Sequence, residues 1–394
     1  MDVPKGFKFA GVSAGIKADS SKKDMTLIAP DGPCAVAGVY TQNLVVAAPV
    51  TLDRQRTPSN SIRGVIVNSG NANACTGQQG CANAEAMAAS AAAEIGCEAE
   101  EVLVMSTGII GVQLPMEKIL DGARHLGSLL GGDGESFLAA ADGFLTTDNG
   151  RKISSRQIDI GSEQITIAGI AKGAGMIGIN MATFLSVVMT DAKIDAATLQ
   201  SIQSRVIQTT FNCVSVEGHT STNDTFLLMA SGAVGNSLSG EELQEFETVL
   251  EEVCLDLAKM IPADGEGASH VLEIEVSGAG CDHDARVIAE TVAHSNLVKT
   301  CITGNDPNWG RIVSAVGYAG IDIDADQIVL HLLGQKLFER SEPVVFNAAK
   351  MSSAMRNNRE ISIQLRVGSG SGNAKIWTSD LTTDYVVFNA DYHT

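Results

Sequence analysis

Thr183 follows a glycine-rich loop that carries one lysine, Lys172-Gly173-Ala174-Gly175-Met176-Ile177-Gly178-Ile179-Asn180-Met181-Ala182-Thr183. Beyond it, Phe184 to Thr190 has the β-branched and aromatic content of a buried strand. A threonine hydroxyl is a weak nucleophile until a base takes its proton. Cutting the Ala182–Thr183 peptide would supply that base on the same residue, because a free α-amine has a pKa of about 7.7–8.0. Two other readings fit the same residues. One is a plain glycine turn entering a core strand. The other is a phosphate cradle, since Gly173 to Gly178 fits GxGxxG after the apolar run Gln164 to Ile170. A dinucleotide fingerprint opens a helix, however, and here a strand pattern follows. Composition does not choose among the three.

Two further places carry usable chemistry. The strand-like run Val102 to Gly111 contains Ser106-Thr107-Gly108, a hydroxyl beside a flexible backbone N–H. Acyl transfer needs such donors aimed at a developing oxyanion, although Thr-Gly is more often only a turn. Asp264-Gly265-Glu266-Gly267 holds a carboxylate between two glycines, where backbone can approach a ligand closely. By itself it also reads as an exposed turn.

Lys-Gly-Ala-Gly-Met-Ile, Asn-Met-Ala-Thr and Thr-Asp-Ala in this order resemble the self-processing site of the ornithine acetyltransferase family, the glutamate N-acetyltransferases of arginine biosynthesis. Gly38-Val39-Tyr40-Thr41-Gln42-Asn43, Ala47-Ala48-Pro49-Val50, Ser69 to Gly77, Thr220 to Thr225 and Asp306-Pro307-Asn308-Trp309-Gly310-Arg311 are similar to other blocks of that family. The likeness runs from near residue 7 to the last residue. One departure is Gly178-Ile179, where the family commonly has Ala-Pro. The resemblance implies cleavage between Ala182 and Thr183, Thr183 as nucleophile, and Thr107 with Gly108 as the oxyanion hole. It places substrate contacts at Thr146, Thr147, Lys172, Thr183, Glu266, Asn389 and Thr394. The Thr220–Thr225 cluster reads as hydrogen-bonded support, and the Asp306–Arg311 block yields no derivable chemistry.

The reaction implied is acetyl transfer from N2-acetylornithine to L-glutamate through an acetyl-threonine, with no cofactor and no metal. Acetyl-CoA is the second donor that the resemblance allows. Lys172 and Glu266 complement an amino acid carrying a carboxylate and a distal ammonium, so acetylornithine is expected to be the good donor and acetyl-CoA a poor one. The runner-up is an N-terminal-nucleophile amidohydrolase or aminopeptidase using water as acceptor. A binding protein that never processes is the third class.

These groups need a scaffold. The opening third reads as short β segments and glycine turns, with an alanine-rich helix over 82–94. Pro115 suits the first turn of a helix to about Leu130, Asp133 to Leu145 reads as another, and Asp195 suits the cap of one ending near Thr209. Leu243, Phe246, Leu250, Val253, Leu257 and Ile261 recur at helical spacing over Glu241 to Ile261. The last third reads as strands at 327–333, 361–367, 375–378 and 385–388. The fold expected is α/β, with mixed sheets between helical layers in a self-cleaving, N-terminal-nucleophile-like arrangement. Two interwoven fragments result, 1–182 and 183–394, and the family resemblance implies a heterotetramer of two α and two β chains.

Over 394 residues, hydrophobic content is 44% and aromatic content 4%, with 40 glycines, so small-residue packing and many turns are expected. The net charge of −19 disfavours nucleic acid and anionic membranes as partners. No apolar run reaches the length of a membrane span and the start lacks a signal-peptide core, which points to the cytoplasm. Eight cysteines show no CxxC pairs, disulfides are not expected, and Cys75 and Cys81 read as buried free thiols rather than a metal site.

Overall fold

The computed structural model describes residues 2–161, 163–179, 181 and 184–391. Ala182, Thr183 and Thr394 therefore lie outside the described residues. Among those described, three sheets organise the chain. A four-stranded sheet runs in the order Phe7–Val12, Met25–Pro30, Gly64–Asn71, Val102–Ile109. A six-stranded sheet runs Ser59–Ile62, Cys34–Tyr40, Thr225–Ser237, Leu185–Lys193, Glu163–Lys172, Lys152–Ile160. A seven-stranded sheet uses strands from Val214–Ser215 to Gly372–Ser379.

The first two sheets pack face to face because their strands alternate. Val65, Val67, Leu103 and Met105 of one meet Ala168, Ile170, Val187, Met189, Leu227 and Met229 of the other. The intervening residues Ile66, Val102 and Val104 point outward, against helices Gly77–Ile95 and Met116–Leu129. On the opposite flank, Ile167, Val188, Phe226 and Leu228 meet helices Ala196–Thr209 and Glu241–Ala263. The order through this part is helix, sheet, sheet, helix. The seven-stranded sheet forms its own core with helices Asp282–His294, Asn296–Thr303 and Trp309–Gly317.

Strands from either side of position 183 share the six-stranded sheet. Glu163–Lys172 pairs antiparallel with Leu185–Lys193, with Lys172 opposite Leu185. Leu185–Lys193 pairs in parallel with Thr225–Ser237, which pairs with Cys34–Tyr40. The two halves of the sequence are thus woven into one sheet.

The expected helix stripe is present: Phe246, Leu250, Val253, Leu257 and Ile261 are fully buried. Asp133 accepts the Ser136 N–H, and Asp195 accepts those of Ala197 and Thr198, as N-caps. Three expectations are corrected. Residues 385–388 are not a strand but part of helix Thr383–Asp391. There the Thr382 hydroxyl accepts the Tyr385 N–H, and Asn389 Nδ2 donates to the Tyr385 carbonyl, so local capping outweighs the β-branched content. The opening third also contains a helix, Ala48–Arg56, begun by Pro49. All eight cysteines are free, but Cys75 and Cys81 are exposed, at the start of helix Gly77–Ile95, rather than buried.

Candidate active site

Where the two facing sheets end together, a cleft of about 210 Å³ opens. Thr107, Gly108, Thr146, Thr147, Lys172, Glu266 and Asn389 all line it. These are all the site residues read from the sequence that fall among the described ones. Ala182, Thr183 and Thr394 fall outside them. Met181 and Phe184 flank Ala182 and Thr183 in the sequence, and Leu185 pairs with Lys172 at this end of the sheet.

The Thr107–Gly108 corner closes the parallel pair Gly64–Asn71 and Val102–Ile109, with Ser69 opposite Thr107 and Gly70 opposite Gly108. Ligands characteristically meet parallel strands at their carboxyl ends. Gly108 has φ +134°, and a Cβ there would run into the Gly70–Asn71 backbone. Only glycine allows the strands to come this close while turning the corner. Thr107 is buried, and its Oγ1 lies 3.5 Å from Lys172 Nζ.

Lys172 is 3% exposed at the last position of its strand. Burial pulls its pKa below the usual lysine value, while Asp148 opposes that shift. Asp148 is the organiser that the sequence reading passed over. Its carboxylate accepts the Gly173 N–H at 2.7 Å, the Thr146 N–H at 3.0 Å and Lys152 Nζ at 2.6 Å. Burial alone would raise its pKa, but the Lys172 and Lys152 charges hold it well below the usual carboxylate range. Lys152, itself 2% exposed, also bonds Asp264 at 2.6 Å. Asp264 in turn accepts Asn149 through its backbone N–H and side chain. One buried ion network therefore joins the Thr146–Thr147 turn, the Lys172 strand and the Asp264–Gly267 turn. Local pattern gave little signal for this role, because Asp148 accepts an N–H from two residues before it, the reverse of an Asx turn, and its other partners are Lys152 and Gly173.

Glu266 is fixed from two sides. Its N–H donates to the Ala174 carbonyl at 3.0 Å, and Asn389 Nδ2 donates to its Oε2 at 3.0 Å. A Cβ on Gly175 would fall inside the Glu266 carboxylate. A Cβ on Gly267, which has φ +70°, would strike the Asp384–Tyr385 backbone. Gly267 is therefore required by its φ and its close approach to the C-terminal helix, whereas a methyl at Gly175 would displace the Glu266 carboxylate. The Thr382 hydroxyl completes the join by donating to the Gly267 carbonyl at 2.6 Å.

Ser221, Thr222 and Asn223 do more than support the site; they form part of its wall. Asn223 Nδ2 donates to the carbonyls of Ala72 and Ser106 at 2.6 and 2.8 Å, fixing the residue before Thr107. The Asn-rich loop is knitted by its own side chains, as Asx turns require. Asn68 donates to the Asn71 carbonyl, and Asn71 Oδ1 accepts the Asn73 N–H. The Asp306–Arg311 block is a helix start: Asn308 accepts the Arg311 N–H and Trp309 stacks on Phe338. The GxGxxG segment is no phosphate cradle, because the Gly173 N–H already serves Asp148 and, among the described residues, a strand rather than a helix follows Gly178.

The cleft thus holds a hydroxyl and backbone corner suited to an oxyanion. Lys172 and Glu266 are the charged residues on its walls among the described residues.

The sequence pattern of the ArgJ family matches residues 8–394. The chain is 50% identical to the arginine biosynthesis bifunctional protein ArgJ of Rhodopirellula baltica, over 100% of this chain and 96% of that one. It is 46% identical to the protein of the same name from Geobacter sulfurreducens, over 99% of each. The crystal structure of the Bacillus halodurans arginine biosynthesis bifunctional protein ArgJ aligns with a TM-score of 0.50 at 40% identity. That alignment covers 51% of this chain and 96% of the solved one.

Proposed function

This chain belongs to the ArgJ family, and from that premise we propose that it transfers an acetyl group from N2-acetylornithine to L-glutamate, making N-acetylglutamate and ornithine for arginine biosynthesis. The observation that carries this reading is the convergence of Thr107, Gly108, Lys172, Glu266 and Asn389 on one cleft from distant parts of the sequence. The cycle is a ping-pong acyl transfer. Thr183 Oγ attacks the acetyl carbonyl while its free α-amine takes the proton. The Thr107 hydroxyl and the Gly108 N–H receive the oxyanion. Ornithine leaves, glutamate attacks the acetyl-threonine, and the proton returns. Lys172 holds the α-carboxylate common to donor and acceptor. Glu266, steadied by Asn389, takes the ammonium. Thr146 gives its N–H and hydroxyl to Asp148, which favours Thr147 as the ligand contact. Thr394 completes the set from the end of the chain.

The nucleophile becomes available by self-cleavage between Ala182 and Thr183, giving fragments 1–182 and 183–394. The interleaved strands support this, since the cut halves stay paired in one sheet. A related solved chain that is 96% covered yet spans 51% of this one is a half-length chain, which also fits. The mature protein is then a cytoplasmic heterotetramer of two α and two β chains. No described helix is long and apolar enough to cross a membrane.

The test is direct. Wild-type protein on a denaturing gel should give two fragments, the second beginning at Thr183 by mass, and Thr183→Ala should leave one intact chain. Cleavage elsewhere, or full cleavage of the variant, would sink the assignment. A second reading, acetyl-CoA as an additional donor to the same threonine, is favoured by the word bifunctional in the names of the relatives.

A further inference from the structure

The residues on both sides of position 183 are held by two neighbours in one short turn. Met181 adopts φ +59°, a left-handed conformation that residues with a side chain rarely enter. Its N–H donates to Asn212 Oδ1 at 3.0 Å, and its side chain is 2% exposed. Phe184 stacks on Phe211, with centroids 4.4 Å apart and planes 9° from parallel. Phe211 and Asn212 belong to the 3-10 turn Phe211–Cys213, which joins helix Ala196–Thr209 to strand Val214–Ser215.

The Asn212 amide has its orientation set. Asn212 is buried, its Nδ2 donates to Gln208 Oε1 at 3.2 Å, and its backbone carbonyl accepts Arg286 Nη2 at 2.7 Å. That leaves Oδ1 facing Met181. Upstream, the Ile177 carbonyl accepts the N–H groups of Val216 and Gly218 at 2.9 Å each and the Ser215 hydroxyl at 3.2 Å. Nothing in the acetyl-transfer cycle uses these contacts, and Asn212 does not line the substrate cleft.

We propose that Phe211 and Asn212 form a clamp that positions the Ala182–Thr183 peptide for self-cleavage, with Asn212 the positioning residue. The inference rests on the reading that cleavage occurs at this peptide. In that step Thr183 Oγ bonds to the Ala182 carbonyl carbon, the carbon–nitrogen bond breaks, and the hydroxyl proton ends on the nitrogen, which becomes the free α-amine. Water then hydrolyses the ester, leaving a carboxyl on Ala182 and restoring the hydroxyl. Attack needs the reacting atoms held close and aligned, and small misplacements cost large factors in rate. A backbone pinned in a rarely visited conformation one residue upstream, with an aromatic stack one residue downstream, provides that restraint. Once the bond is cut, the Asn212 arm on Met181 has no further part in the chemistry, while the Phe211 stack still holds the residue that follows Thr183.

The experiment follows fragment appearance over time in the full-length chain. Asn212→Ala should slow cleavage by about tenfold or more. Asn212→Asp keeps an acceptor for Met181, Gln208 can turn its amide to donate, and cleavage should return to within a few fold of wild type. Asn212→Ala protein left to cleave fully and then purified should have wild-type kcat/KM for acetyl transfer. Phe211→Leu, which keeps an apolar side chain in the core, should also slow cleavage with its melting temperature near wild type. Wild-type cleavage rates in Asn212→Ala would overturn the clamp. So would an equal loss of transferase kcat/KM in the cleaved variant, which would mark a merely structural role. A wild-type chain that is never cut at Ala182–Thr183 would remove the underlying reading, and the clamp with it.

Discussion

Lys172 Nζ stands 3.5 Å from Thr107 Oγ1, across the seam between the six-stranded and four-stranded sheets. The ammonium donates to the hydroxyl, so the hydroxyl keeps its own proton for an oxyanion. Replacing Thr107 by alanine removes that donor and leaves Lys172, the proposed carboxylate contact, in place. Turnover should fall by about 10²–10³ with little change in KM, whereas Thr107→Ser should retain most activity. Steady-state kinetics decide it: a variant that only raised KM would make Thr107 a ground-state contact.

Asp148→Asn should be among the more damaging substitutions outside the cleft wall. The carboxylate faces buried Lys152 and is the largest opposing charge for buried Lys172. Losing it should destabilise the protein by about 3–5 kcal/mol, read by chemical denaturation. The variant that does fold should bind substrate less well as pH rises. Lys172 is already lowered by burial and would lose its main counter-charge, so it would shed its proton earlier. An unchanged glutamate KM between pH 7 and 9 would contradict this.

Gly175→Ala tests the placement of Glu266. The added methyl has no room beside the carboxylate, which must swing away from Asn389. KM for the donor should rise tenfold or more, roughly the 1.4 kcal/mol that one charge-assisted hydrogen bond contributes, while self-cleavage proceeds. Wild-type donor KM in this variant would remove Glu266 from the binding role.

The site residues were reached through the family resemblance, since by themselves Thr107-Gly108 and Asp264 to Gly267 read only as turns. Thr107-Gly108 reads as a corner since only glycine tolerates φ +134° against a neighbouring strand. The Glu241–Ala263 helix was legible without it, from a long apolar stripe of fixed period. What stayed hidden depends on long-range pairing. Lys152 looks like the start of an exposed strand, and only its contact with Asp264, 112 residues away, shows it to be buried and paired. Residues 385–388 carry strand-like side chains, and the Thr382 cap together with the packing of Gly267 makes them helical. Short helices such as Asn296–Thr303 are set by tertiary burial, which local pattern does not encode.

Glu217 gives a pH dependence of opposite sign to an ordinary carboxylate. Its oxygens are buried with no hydrogen-bond partner among the described residues. Burial lifts its pKa from 4.5 to about 8 and Glu266 adds to this; the nearby Ile177 backbone and, less, Lys299 oppose it, while His294 and Tyr385 line the same cavity. Between those two pH values the folded state holds a proton that the unfolded state has lost. Stability from this group is therefore full below about pH 4.5 and is lost as pH rises through the window. Glu217→Gln is neutral throughout, so it should gain on wild type by about 1.4 kcal/mol per pH unit inside the window. Denaturation of both proteins from pH 5 to 8 measures the difference, and a flat difference would contradict the buried, neutral carboxyl.

The donor preference is the last and sharpest expectation. The cleft of about 210 Å³ lies below the ~300–1,000 Å³ typical of sites for drug-sized ligands. It suits an amino acid with one acyl group. Its charged lining, Lys172 and Glu266, matches the carboxylate and distal ammonium of N2-acetylornithine. Acetyl-CoA has no ammonium, and brings phosphates that a chain of net charge −19 attracts only through a local basic patch. Among the described residues lining the cleft, Lys172 is the one cation, too few for a nucleotide's several phosphates. Acetylornithine should therefore be the better donor by at least about 100-fold in kcat/KM, close to the discrimination of two unmade polar contacts. Assays with glutamate and each donor measure it directly. Comparable values would show that the nucleotide binds outside this cleft and that the charge argument fails. Acetate released from acetylornithine at the same rate without glutamate would instead make the enzyme a hydrolase.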